Sequence, residues 1–269
     1  MRWGRHRKTS EAYRPAPPEK MRPADAQPRD RRGIFRVAGR DDSSVGRRSR
    51  FEGFELDDEI KRVAAHPPDR PSRGDGRVHC GSLERILYRQ WDGSPPPESV
   101  RAVESLAALP DGLKDKLALG LDGIYVGPGG VPDLDDMGHL KGRPLPSGRA
   151  TWDICAGAYG DRKVVVGDRP SPTPDVMMHE VGHALDHVDE PGAGWRSDGE
   201  EFRVLYERCA PHLISDFHSQ AGVLGRREFF ADAFAAIASR QRPALVDMLG
   251  GNIRIALDVM LFFNRRYGI

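Results

Sequence analysis

The sequence predicts an α+β domain over residues 76–269, a small mixed sheet packed against several helices, behind an N-terminal tail over residues 1–75 that is expected to be disordered. Three observations predict it. Apolar residues are sparse and without period through the tail, and turn periodic from about Cys80. Two short runs rich in β-formers, GIYVGP and RKVVVGD, lie among segments with helical spacing. A stretch with a helix start written into it follows the second run directly.

The tail is rich in Arg, Pro, Asp and Gly, as in RPAPPEKMRPADAQPRDRRG. Such a segment cannot bury enough surface to offset chain entropy. Within it, residues 51–66 (FEGFELDDEIKRVAAH) are expected to form at most a transient helix. Basic residues crowd the tail, yet the whole chain holds 41 Lys and Arg against 40 Asp and Glu, a formal net charge of +1. That balance predicts neither a nucleic-acid nor a membrane partner, and the chain is expected to act as a monomer. No apolar run approaches the ~20 residues a bilayer span needs. The basic N-terminus is not followed by an apolar stretch, so a standard secretory signal is not expected. The protein is then cytoplasmic or exported by a non-standard route. Cys80, Cys155 and Cys209 form no CxxC and read as buried or idle thiols, without a disulfide framework.

From Cys80 onward the elements can be taken in order. SLERILYRQW places Leu83, Ile86 and Leu87 at helical spacing. After the breaker SPPP, ESVRAVESLAAL repeats that spacing at Val100, Val103 and Leu106, and LKDKLALGL predicts a third short helix. GIYVGP reads as a strand. TWDICAGAY and RKVVVGD, separated by Gly160-Asp161, read as a hairpin. Residues 129–148 carry turn chemistry throughout. SPTPDVMMHEVGHALDHV then predicts a helix with Thr173 as N-cap, Pro174 at the first position and Asp175 in the first turn, ending at Pro191-Gly192. Further helices are predicted over EEFRVLYERCAPHL, over REFFADAFAAIASR after Gly225, over ALVDML, and over the last sixteen or so residues beyond Gly250-Gly251.

The sharpest feature is His179-Glu180-Val181-Gly182-His183, an H-E-x-x-H on a predicted helix. Residues four apart share one helix face, so the two imidazoles can grip one metal ion while Glu180 stands beside them as general base. Three fixed residues in five arise by chance in roughly three per hundred chains of this length, so the surroundings matter. Here the helix is capped, a strand precedes it, and small Gly182 leaves room on the metal side. One Zn2+ per chain is expected, because the ligand types suit zinc and a catalytic zinc site needs three protein ligands and an open fourth position.

Two residues compete to be the third ligand. Glu228, in REFFADAFA, has Asp232 one turn further on the same face. Glu228 could bind the ion while Asp232 accepts the free N–H of a ligand His, and Phe229, Phe230, Ala233, Phe234 and Ile237 would bury the rest of the helix. Asp189 is the rival, ten residues beyond His179, as in an extended motif whose chain breaks at a Gly. Asp186 occupies that Gly position here, which favours Glu228. His187 also shares part of the helix face, but a straight helix turns it away from the metal. His139 and His212 carry no partner signal.

HEVGHALD followed by EFFADAFA resembles the anthrax-lethal-factor-like branch of the gluzincin metallopeptidases, within the HExxH zincins. The likeness spans residues 123–237, including GIYVGP, GAYGDRKVVVGD and both helices. It implies a zincin-like fold, zinc-dependent hydrolysis of peptide bonds in a protein or peptide substrate, zinc binding by the residue at Glu228, and a supporting acid at Asp232. It also implies that the RKVVVGD strand borders the cleft and pairs with an extended substrate. The family usually carries a Tyr a few residues before the third-ligand helix to stabilise the oxyanion. SDFHSQAGVLGRRE holds none; His218 is the nearest donor and is expected to take that role, with Tyr206 and Tyr159 as more distant options. The rival reading is a catalytically weak or inactive zincin-like domain that binds protein.

Overall fold

The structure is a computed structural model that describes residues 77–145, 151–171, 173, 175–189 and 194–269. The expected tail, the transient helix at 51–66 and the Pro191-Gly192 stop lie outside the described residues. Among the described residues, four strands form one mixed sheet: β1 (Leu87–Arg89), β2 (Gly123–Val126), β3 (Gly157–Gly160) and β4 (Lys163–Val166). Their order is β1-β2-β4-β3, with β1, β2 and β4 parallel and β3 antiparallel to β4. Among the described residues, seven α-helices accompany them: α1 (Pro97–Ala107), α2 (Asp111–Gly120), α3 (Val176–Val188), α4 (Glu200–Cys209), α5 (Leu224–Ala238), α6 (Arg242–Met248) and α7 (Ile253–Tyr267).

The first periodic segment departs from expectation. Instead of one helix, Gly81–Arg85 makes a 3-10 turn and Leu87–Arg89 pairs with β2, Leu87 opposite Ile124 and Tyr88 opposite Tyr125. The two tyrosine rings stack across the strands with centroids 4.7 Å apart. A short apolar run has no period long enough to separate helix from strand, and here pairing with β2 settled the matter. The hairpin forms as predicted, but its turn is Asp161-Arg162, one residue later. Both residues have positive φ, which matches the right-handed twist of the strands.

β4 is the inner strand of this pair. Val164, Val165 and Val166 are all buried, as an unbroken apolar run in a parallel strand covered on both faces should be. Helices cover one face through Val164 and Val166. Val131 and Leu134, from the turn-rich segment after β2, cover the other through Val165. β4 therefore pairs on both sides, with β2 and β3, and has no edge to offer a substrate. That corrects the expectation for RKVVVGD. β3 is the outer strand of the sheet, and it packs beside α3.

α3 starts at Val176, and its N-cap is Asp175 rather than Thr173: Asp175 has extended backbone angles and its Oδ1 accepts the Met178 amide at 3.0 Å. Asp175 Oδ2 also accepts the Ser105 hydroxyl at 2.6 Å, which joins the start of α3 to α1. Its heaviest packing is against α5. They touch at Gly182, where an added Cβ would lie 2.8 Å from Ala231 Cα and 3.0 Å from Ala231 O. The small residue thus makes room for the backbone of α5, not for the metal side as the sequence suggested. Behind the crossing, Phe202, Phe229, Phe230, Phe234 and Phe263 are fully buried, with the 202–230 and 230–263 ring pairs 4.9 and 5.0 Å apart. Each such ring contributes about 1.5–3 kcal/mol by leaving water, and together they hold α4, α5 and α7 as one layer.

All three cysteines are free. Burial pushes the Cys80 and Cys155 thiols up to about 11 and Cys209 up to about 12, so none is poised as a thiolate. No helix among the described residues is long and apolar enough to cross a membrane.

Candidate metal centre

On α3 the helical repeat stacks His179 over His183, and on α5 it stacks Glu228 under Asp232. The crossing at Gly182 and Ala231 brings the two pairs face to face. His179 Nε2 lies 3.1 Å from His183 Nε2, His183 Nε2 lies 3.3 Å from Glu228 Oε2, and His179 Nε2 lies 3.5 Å from that same oxygen. Among the described residues this is the group of three that could hold a metal ion. A tetrahedral zinc with bonds of about 2.0–2.1 Å separates neighbouring ligand atoms by about 3.3 Å, so the triangle has the edge lengths of a zinc face.

The charges around the triangle favour a cation. His179 Nδ1 donates to Asp232 Oδ1 at 2.6 Å, which leaves Nε2 to face the junction. Burial opposes a charge on His179, but Asp232 and Glu228 outweigh it and hold the imidazole well above its usual value. Burial likewise opposes the Glu228 carboxylate, yet hydrogen bonds from His179 and His183 bring it down to about 2. Asp232 is held below the usual carboxylate range against its burial, by His179 first and then His218. Positive charge at this point is what the buried carboxylates require, and a divalent ion would supply it.

Glu180 occupies the same turn of α3, 7% exposed, and burial raises it above the ordinary value. It lies under β3: a Cβ built on Gly157 would stand 2.8 Å from Glu180 Oε1, 2.9 Å from its Cγ and 2.6 Å from Val176 Cγ1. The bare backbone of the edge strand therefore forms one wall around the carboxylate. The residue escaped sequence reasoning, although a glycine inside a strand run is the usual sign of a close approach.

His218 is not placed as expected. Its ring is 4% exposed, and Nε2 donates to Asp232 Oδ2 at 2.7 Å. It stands behind the acid, not in front of the metal ligands. The two tyrosines are also engaged: Tyr206 Oη donates to the His218 carbonyl at 2.6 Å, and Tyr159 Oη pairs with His187 Nδ1 at 2.7 Å. His187 is exposed and stacks on Trp195 at 4.8 Å, turned from the triangle as the helix geometry predicts. Trp195 is closed on its other face by the Arg227 guanidinium, 4.0 Å from the ring centroid.

Asp189, the rival ligand, lies at the end of α3 in a different cluster. Its side chain is 2% exposed and meets Lys116, Arg266 Nε at 2.6 Å, Arg196 Nε at 3.2 Å and Tyr267 Oη at 3.4 Å. These partners come from α2, α7 and the segment after α3, so Asp189 pins the helix end. Asp186, which the sequence left without a role, is buried, and its Oδ1 accepts the Ser197 amide. Burial raises it to about 6. It fastens the turn Arg196–Asp198 to the back of α3. His139 bonds locally, to the Asp136 carbonyl, and His212 meets the side chain of Asn252, far along the chain.

No protein-family model matches the sequence, and no curated protein matches it. Among solved structures, the chain is similar to the Pro-Pro endopeptidase PPEP-2 from Paenibacillus alvei, with a TM-score of 0.51 and 20% identity over 68% of this chain and 100% of that one. At that identity the likeness is one of fold. The α+β, zincin-like architecture with a small mixed sheet is thus the fold of this chain.

Proposed function

We propose that this chain is a zinc-dependent endopeptidase of the gluzincin type, in the lethal-factor-like branch, with His179, His183 and Glu228 as metal ligands and Glu180 as general base. The observation that carries the reading is the triangle of 3.1, 3.3 and 3.5 Å edges, with Glu180 next to His179 on the same turn. Zinc, when bound, polarises a scissile carbonyl and lowers the pKa of water from 15.7 to about 7. Glu180 takes the proton of the attacking water as the water oxygen bonds to the carbonyl carbon, and then returns it to the amine nitrogen as the C–N bond breaks. Asp232 keeps the Nδ1 proton of His179 pointed away from the ion. β3 offers its outer edge to an extended peptide, whose main chain can add to the sheet beside Glu180.

The full chain is expected to bind one zinc, and to cleave members of a peptide library that includes Pro-Pro bonds, the bond for which its structural neighbour is named. Cleavage should stop on chelation and return with added zinc. A second reading, a weak or inactive domain that binds protein, is favoured by the engagement of Tyr159, Tyr206 and His218 elsewhere. Stoichiometric zinc without turnover on any peptide would select it.

Gly157 supplies a further test. Gly157→Ala is expected to lower kcat at least tenfold with zinc content unchanged, because the methyl group must displace Glu180 or Val176. Wild-type kcat in this variant would show that the wall around Glu180 yields freely.

A further inference from the structure

Asp232 is bonded from both sides. Its Oδ1 takes the Nδ1–H of His179 at 2.6 Å, and its Oδ2 takes the Nε2–H of His218 at 2.7 Å. Both contacts are short, as hydrogen bonds to a carboxylate are, and all three groups are buried. The other ring nitrogen of His218, Nδ1, is buried without a hydrogen-bond partner. The Nε2–H tautomer thus serves the acid and leaves only a lone pair unmet, which costs less than an unmet N–H.

His218 is itself firmly seated. Tyr206 holds its carbonyl, the Phe229 ring lies edge-on at 5.9 Å, and Gly225 lets that carbonyl press against the first turn of α5, where a Cβ would come within 2.5 Å of it. The histidine is thereby anchored to the same helix that carries Glu228 and Asp232.

From this geometry we infer that His218 is a positioning residue for the metal site: it holds the Asp232 carboxylate in the one orientation that orients His179. The inference rests on the zinc reading above. A buried carboxylate with one oxygen unmet is free to rotate, and rotation loosens its hold on the His179 ring. Partners of this kind around metal ligands are worth 10–100-fold in metal affinity. His218 stands one bond further out, so the lower end of that range is the expected effect.

The test is zinc affinity, measured on the full chain by competition with a chromogenic chelator. His218→Phe keeps a ring but no donor, and should weaken zinc binding about tenfold. Asp232→Asn should weaken it as well, and the double variant should be no weaker than Asp232→Asn alone, because the effect of His218 runs through that acid. His218→Gln, whose amide can reach the place of Nε2, should restore most of the affinity, whereas His218→Asn, which is too short, should not. The Gln and Asn pair decides the matter if the Phe variant does not fold. Unchanged affinity in both Phe and Asn variants, losses that multiply in the double variant, or a Gln variant as weak as Asn would each overturn the role of His218. Failure of the wild type to bind zinc would instead remove the metal reading beneath it.

Discussion

Glu180→Gln is expected to bind zinc as the wild type does and to lose about 10²–10⁴-fold in kcat, the usual worth of a general base. The substitution keeps the size of the side chain, so the wall formed by Gly157 and Val176 should still fit it. What goes is the ability to accept a proton. The surroundings suit proton transfer, since Glu180 is buried and burial raises its pKa, bringing the carboxylate nearer to the working range of a base at neutral pH. The measurement is single-turnover peptide cleavage beside metal analysis on the same sample. Normal cleavage by the Gln variant would remove Glu180 from the chemistry, whatever the metal does.

The second large effect separates two acids that the sequence could not rank by contact. Glu228→Gln is expected to lose zinc affinity by at least tenfold, since a neutral amide replaces the anionic member of the triangle. Asp189→Asn should keep zinc and lose stability by about 3 kcal/mol, because Lys116, Arg196 and Arg266 would remain around a neutral side chain. A pH series checks the same assignment. Burial opposes the Asp189 charge, but Lys116 and Arg266 outweigh it, so the folded-state pKa lies below the ordinary 3.8. A depressed carboxylate contributes its stability above the unfolded value and loses it as pH falls through the folded one. The gap between wild type and Asp189→Asn should therefore be widest at neutral pH and close below about pH 4. Zinc loss on Asp189→Asn with zinc retained on Glu228→Gln would reverse the two roles.

How much was legible beforehand depended on whether one chain segment held the whole signal. The face shared by His179 and His183, and the one shared by Glu228 and Asp232, follow from helical spacing alone. The near-continuous burial of α5 from Phe229 to Ile237 was likewise readable from its apolar content. The role of Gly182 was misjudged because a glycine's use is set by what approaches it, and Ala231 lies 49 residues away along the chain. For the same reason β3 and β4 exchanged parts. Their sequences differ in apolar content, but which of them has a spare edge depends on β2 pairing with β4.

His218 shows the limit most clearly. The family resemblance implied a donor aimed at the cleft, but the turn before α5 carries His218 to the far oxygen of Asp232. The sequence by itself determined the α+β class, the capped helix bearing His179, Glu180 and His183, and the second helix bearing two acids one turn apart, because local periodicity and capping are short-range properties. Only the tertiary structure decided that the helices cross closely enough for a 3.3 Å contact between His183 and Glu228, that Asp189 serves an ion cluster instead, and that the outer strand lies over Glu180. Those outcomes depend on contacts between residues far apart in the chain, where no spacing rule reaches.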